Sequence, residues 1–245
     1  MRFYIPQLDV AGQMEESSAH PEHLGGLPFG LPADLWPTCA ECGGTQSLIA
    51  QFLHDPLRLD LGRSGRMLFV FQCNHDPGMC ATWEAFSGAN SCLILEPEMQ
   101  TGHLTEYPAD SPPLDNAAFV RGWDERGLHL AVADELAFYT DEAFFQLSDE
   151  MLANVSWSTR LGGVPRWIQS AEESPRPGWR FVGQLDSLYS FRSAPSFSPD
   201  WISVDSEQFE GRTHIGEGPN FGGGIAYLFL RENEGNPAAA MFWQR

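Results

Sequence analysis

The sequence predicts an α+β chain that is mostly β, built as two similar β-rich halves. Three observations predict it. Glycine (24) and proline (18) are abundant and break the 245 residues into short segments. Apolar runs are short and strand-like, as in Leu48–Leu53, Gly65–Phe71 and Asn90–Glu96. A frame of Leu-Gly-Gly-x-Pro, a strand carrying one glutamine, and a further apolar strand occurs twice.

In the first copy the frame starts at Leu24-Gly25-Gly26-Leu27-Pro28, and the glutamine is Gln51. In the second it starts at Leu161-Gly162-Gly163-Val164-Pro165, and the glutamine is Gln184. Gly26 to Gln51 spans 25 residues; Gly163 to Gln184 spans 21. Residues 223–230 then mirror 65–71. Three ordered matches predict an internal duplication packed about a pseudo-twofold axis, since each half alone would expose an apolar sheet face. The expected organisation is one globular body over 1–245. Its parts are a first repeat at 24–96, a linker and helical segment at 97–160, and a second repeat at 161–231.

The other elements follow in order. Residues 1–22 show no clear period, apart from a weak helix start at Met14. Ala118–Trp123 reads as a strand. Residues 134–153 are the best helical region, with Phe138, Phe144, Phe145, Leu147, Met151 and Leu152 at roughly helical intervals. Its paired acids, such as Asp141-Glu142, point in different directions and form a solvated face rather than an acid/base dyad.

Four of the five cysteines form two arms, Cys39-x2-Cys42 and Cys73-x6-Cys80. Thiolates suit tetrahedral zinc, and Gly43-Gly44 lets the first arm fold back as a knuckle. The second arm leaves an apolar strand and has turn chemistry of its own. The expectation is a zinc-ribbon-like insert in the first half holding one structural zinc at Cys39, Cys42, Cys73 and Cys80. The long gap and the x6 arm depart from the usual ribbon spacing, and His75 could replace Cys80. Unliganded thiols, a disulfide in an exported protein, and a redox pair at Cys39 and Cys42 are the competing readings. Cys92, in a strand-like run, reads as a small buried hydrophobe. His20 and His23 have ligand-like spacing but no third ligand.

The buried-strand glutamines need partners. Either each bonds loop backbone, or Gln51 and Gln184 line a groove between the halves with Trp167, Gln169 and Asp186. Gly222-Gly223-Gly224 lacks the lysine and helix of a phosphate loop. No nucleophile, base and orienting group share a spacing, so enzyme readings have no anchor.

With 33 acidic against 14 basic residues, the formal charge is −19. That field repels phosphate backbones and anionic membranes, so neither nucleic acid nor a membrane is an expected partner. A basic protein segment suits it. The N-terminus lacks a signal-peptide core and no run reaches membrane-spanning length, so the expected location is cytoplasmic.

The frame L-G-G-x-P, strand Gln, L-G-G-V-P-R-W-I-Q, V-G-Q-L-D and F-G-G-G-I-A-Y-L-F resembles the YwqG-like bacterial family of unknown function, over about residues 24–230. Separately, P-T-C-A-E-C-G-G, L-I-A-Q and R-M-L-F-V-F-Q-C are similar to the eukaryotic programmed cell death protein 2 family, over about residues 24–95. That resemblance implies zinc knuckles at Cys39, Cys42, Cys73 and Cys80, and a role as chaperone of a ribosomal, hence basic, protein. The leading expectation is a zinc-stabilised protein-interaction module. The alternatives are a metal-dependent hydrolase or transferase with an open metal position, and an immunity or antitoxin-like binder.

Overall fold

A computed structural model describes residues 1–10, 21–75, 78–108, 116–130, 132–171, 175–195, 199–204, 214–232 and 235–245. Met14, His20 and the Asp76-Pro77 turn of the second cysteine arm lie outside the described residues.

The protein is mostly β. Its strands are β1 (Arg2–Asp9), β2 (His23–Leu24), β3 (Ser47–Leu53), β4 (Met67–Gln72), β5 (Asn90–Leu95), β6 (Ala118–Gly127), β7 (Arg160–Gly162), β8 (Arg180–Asp186), β9 (Leu188–Phe191), β10 (Ile202–Val204), β11 (His214–Glu217), β12 (Ile225–Arg231) and β13 (Ala238–Gln244). Ten form one sheet in the order β13-β12-β8-β7-β1-β6-β2-β3-β4-β5; β10, β11 and β9 form a second, small one.

That order reads the same way outward from its middle. β1 and β6 pair antiparallel at the centre. β7, β8, β12 and β13 follow on one side, and β2, β3, β4 and β5 on the other. β1 hydrogen-bonds to β7 of the later half, and β6 to β2 of the earlier half. The large sheet curls into a near-barrel, so that the edge strands β5 and β13 come close to one another.

The curl explains why β3, β4 and β12 are buried on both faces. Inside, one core collects Leu24, Ile49, Val70, Val120, Val182 and Leu228 from both halves. Outside the first half, Leu31 and Trp36 cover Leu48, Phe69 and Phe71. Outside the second half, Phe138, Phe144 and Trp167 cover Tyr227, Phe229 and Phe242. Burying both faces removes the period-2 alternation that would mark a half-exposed strand.

The expected helix over 134–153 is instead three short ones: α1 (Val132–Ala137), α2 (Asp141–Phe144) and α3 (Asp149–Ala153). Thr140 and Ser148 are extended and interrupt it, and the Ser148 side chain accepts from the Met151 N–H as an N-cap. Phe138 and Phe144 are buried while Phe145 is exposed, so the apolar set does not share one continuous face. The acidic pairs of α2 and α3 are exposed, as expected. β1 and β13, and the small-sheet strands β9, β10 and β11, lie where no strand is expected, and the large sheet continues past residue 231 to Gln244.

Candidate metal centre and adjoining cavity

Each cysteine arm is shaped by its own glycines and then tied to the other. Cys39 N–H donates to Gly44 O, and Gly43 N–H donates to Cys39 O, closing a tight turn. Gly43 has φ +74°, the left-handed conformation that an L side chain would strain. The Gly44 N–H points to Cys42 Sγ at 3.4 Å. The second arm leaves β4 directly: Cys73 N–H donates to Ala89 O, and Thr82 N–H donates to Cys80 O. Ala40 N–H and Gln46 Nε2 both donate to Gly88 O, which joins the first arm to the strand entering β5. Ala81 N–H donates to Glu41 Oε1 and joins the arms again.

The result brings Cys39, Cys42, Cys73 and Cys80 together, with all four sulfurs within 4.8 Å of one another. Cys42 and Cys73 Sγ are 3.6 Å apart. Zinc–sulfur bonds in a tetrahedron would set sulfurs about 3.8 Å apart, so the spacing suits one ion. It is far too long for a disulfide, and none of the five cysteines is disulfide-bonded. Residues 40–42 are a turn rather than a helix start, which removes the thioredoxin-type reading. His75 stands outside the cluster; it is exposed and packs over Gly44, so Cys80 and not His75 completes the four.

Two of the four thiols are shifted, in opposite directions. The Gly44 amide holds the Cys42 thiol below its usual range. Burial pushes the Cys80 thiol far up. Four thiolates would share so small a volume only with positive charge to offset them, which a metal ion could supply. Cys39, Cys73 and Cys80 are buried and Cys42 is exposed, which leaves a route for metal entry. Cys92 lies at the edge of the inner core, where burial raises its pKa to about 12; it fits the reading as a small hydrophobe.

The five proposed groove residues separate. Gln51 is fully buried; its Oε1 accepts from Phe29 N–H, and its Nε2 donates to Pro21 O and Phe29 O. Gln184 is also fully buried and is bonded to Arg166 N–H, Arg160 and the carbonyls of 156–158. Asp186 bonds the Leu188 N–H, and Trp167 sits in the outer core with its indole N–H on Phe138 O. Of the five, Gln169 lines a described cavity.

That cavity, about 500 Å³, lies where the two halves meet. The second cysteine arm contributes Cys73, Thr82 and Trp83, β4 contributes Gln72, and the later half contributes Asn220, Trp243 and Arg245. Trp83 and Trp243 meet edge to face at 6.2 Å. Sequence reading misses these residues because each is isolated in its own segment. Among known proteins, the chain matches no family model and none of the curated proteins.

Proposed function

We propose that the protein is a non-enzymatic interaction module, fastened by one structural zinc, that binds a basic protein segment in the cytoplasm. The observation that carries the reading is the convergence of four thiols from two arms more than 30 residues apart in sequence, Cys42 to Cys73 being |i−j| = 31. Four protein thiolates fill a zinc tetrahedron and leave no position for a reacting water, so the metal fastens rather than catalyses. The net charge of −19 favours a basic partner. The exposed acids of α2 and α3, beside exposed Phe145, offer such a partner a charged and apolar surface.

The halves are proposed to be copies of one unit, in keeping with the resemblance to the YwqG-like family. Beyond the mirrored strand order, β3 has one extra residue at Ile49 and β8 one at Val182, each two before the buried glutamine. The cysteine arms are proposed to be knuckles like those of the programmed cell death protein 2 family, added to one copy only.

Elemental analysis of the protein as isolated tests the zinc. About one zinc per chain is expected, lost in the Cys39→Ser, Cys42→Ser double variant; less than about 0.2 per chain in the wild type rules the site out. Affinity capture from the native host, followed by binding to the purified candidate, tests the partner; the reading expects a basic protein whose binding weakens with salt.

A further inference from the structure

All 14 basic residues of this chain are arginines. Among the described residues, nearly all are committed. Arg2, Arg58, Arg63, Arg66, Arg121, Arg126, Arg180 and Arg192 pair with carboxylates. Arg160 is fully buried on loop carbonyls. Arg166, Arg176 and Arg231 lie over the rings of Trp157, Phe86 and Trp179. Arg245 is the exception: among the described residues its guanidinium has no hydrogen bond, ion pair or ring contact, and it lines the cavity between the halves.

The rest of that cavity is unusual for so acidic a protein. Its described lining has no carboxylate side chain. Amides supply the polarity instead: Gln72, Gln169 and Asn220. Gln72 is 1% exposed; its Nε2 donates to Asn220 O, which fixes the amide orientation, and its Oε1 has no partner. A buried acceptor left unpaired is destabilising, and a ligand N–H would relieve that penalty. Trp83 and Trp243 give the cavity an aromatic wall, and Trp83 is 40% exposed. Gly222, at φ +63°, lets the arginine stem lie against the backbone, since a Cβ there would come within 2.8 Å of Arg245 Cδ.

An uncommitted cation, an unpaired acceptor and an aromatic wall in one cavity describe a receptor for three adjacent groups. We infer that the cavity captures the C-terminal residue of a partner polypeptide. The terminal carboxylate pairs with Arg245, as charge-assisted guanidinium–carboxylate bonds favour. The last peptide N–H meets Gln72 Oε1, and an apolar or aromatic side chain packs on Trp83 and Trp243. Residues before the terminus leave the cavity toward the acidic exterior, where basic side chains are favoured. The volume suits one or two residues rather than a folded element. The assignment rests on the reading of the protein as a binder of polypeptide and names the anchor point.

The test uses the full chain and acetylated tripeptides ending in Phe, Trp, Leu or Val, each as free acid and as C-terminal amide, with binding read by ligand-observed NMR and calorimetry. At least one free acid should bind about tenfold or more tighter than its amide. Arg245→Ala should erase that difference, and Arg245→Lys should restore part of it. Trp83→Ala should weaken the acid and the amide alike. Both side chains are partly exposed, so an unchanged unfolding midpoint shows each variant to be folded. Equal binding of acid and amide, a difference that survives Arg245→Ala, displacement by equimolar inorganic phosphate, or no binding of any peptide at low millimolar concentration would each overturn the assignment. Zinc content and binding of the basic partner are measured on the same samples, so a failed peptide titration with both intact sinks the anchor and not the broader reading.

Discussion

Gln51 and Gln184 do the same work on opposite sides of the sheet's central strand pair. Gln51 Oε1 accepts the N–H of Phe29 at 2.9 Å, and Gln184 Oε1 accepts the N–H of Arg166 at 3.0 Å. Phe29 and Arg166 each lie three residues past a glycine pair in which both members have positive φ. Each amide thus pins the loop that covers its own half. Replacing either glutamine by leucine strands several buried backbone groups. Gln51→Leu should cost about 1–3 kcal/mol. Gln184→Leu should cost more, because Arg160 Nη2 also donates to Gln184 Oε1. Urea unfolding of both variants measures the order.

Acid should destabilise the protein through His23. Burial holds this imidazole neutral and lowers its pKa from 6.5 to about 4, while its Nδ1 bonds Gly25 O at 2.9 Å. The unfolded chain takes up a proton below pH 6.5 and the folded chain does not until about pH 4. The stabilising contribution is therefore complete above pH 6.5, shrinks as pH falls through that window, and its loss reaches about 3 kcal/mol. His23→Asn keeps a donor for Gly25 O and removes the titration. Its stability should fall less steeply between pH 6.5 and 4 than that of the wild type, as read from denaturant midpoints.

Gly88 lets the first cysteine arm pack closely on the segment entering β5. Its φ is +81°, and an added Cβ would lie 2.5 Å from Ala40 Cβ. Gly88→Ala should cost about 1–2 kcal/mol for the left-handed backbone alone, with the clash added. It should also speed zinc loss to a chromogenic chelator, because Ala40 is next to Cys39. A chelation rate equal to that of the wild type would count against the coupling.

His75 and Cys80 should behave oppositely despite their proximity in sequence. His75→Ala should keep about one zinc per chain, whereas Cys80→Ser should lose most of it and lower the unfolding temperature. Zinc affinity should fall as pH drops, since thiolates must shed protons to bind. Elemental analysis after dialysis at two pH values checks both statements.

The four clustered cysteines were legible in the sequence because each arm carries its turn residues beside its thiols. The inner strands β3, β4, β8 and β12 were legible as apolar runs. β1 was not, because Phe3 and Tyr4 are both buried, on a strand that crosses between cores and contains Pro6. β13 was not, because Ala238-Ala239-Ala240 carries no strand preference; its pairing with β12 decides its form. The cavity left no local trace: Gln72 and Arg245 are separated by most of the chain, and only the curl of the sheet makes them neighbours.

The exchanged central strands bear on how the chain is made. β1 is synthesised well before its hydrogen-bonding neighbours β6 and β7, which lie more than a hundred residues later: Phe3 pairs with Arg126 and Gly162. On a translating ribosome the opening segment must wait, unpaired, until the middle of the sheet has emerged. Assembly of the sheet's centre is thereby tied to synthesis of β6, so truncated products ending before Ala118 carry an orphaned β1 and become substrates for chaperones or proteases.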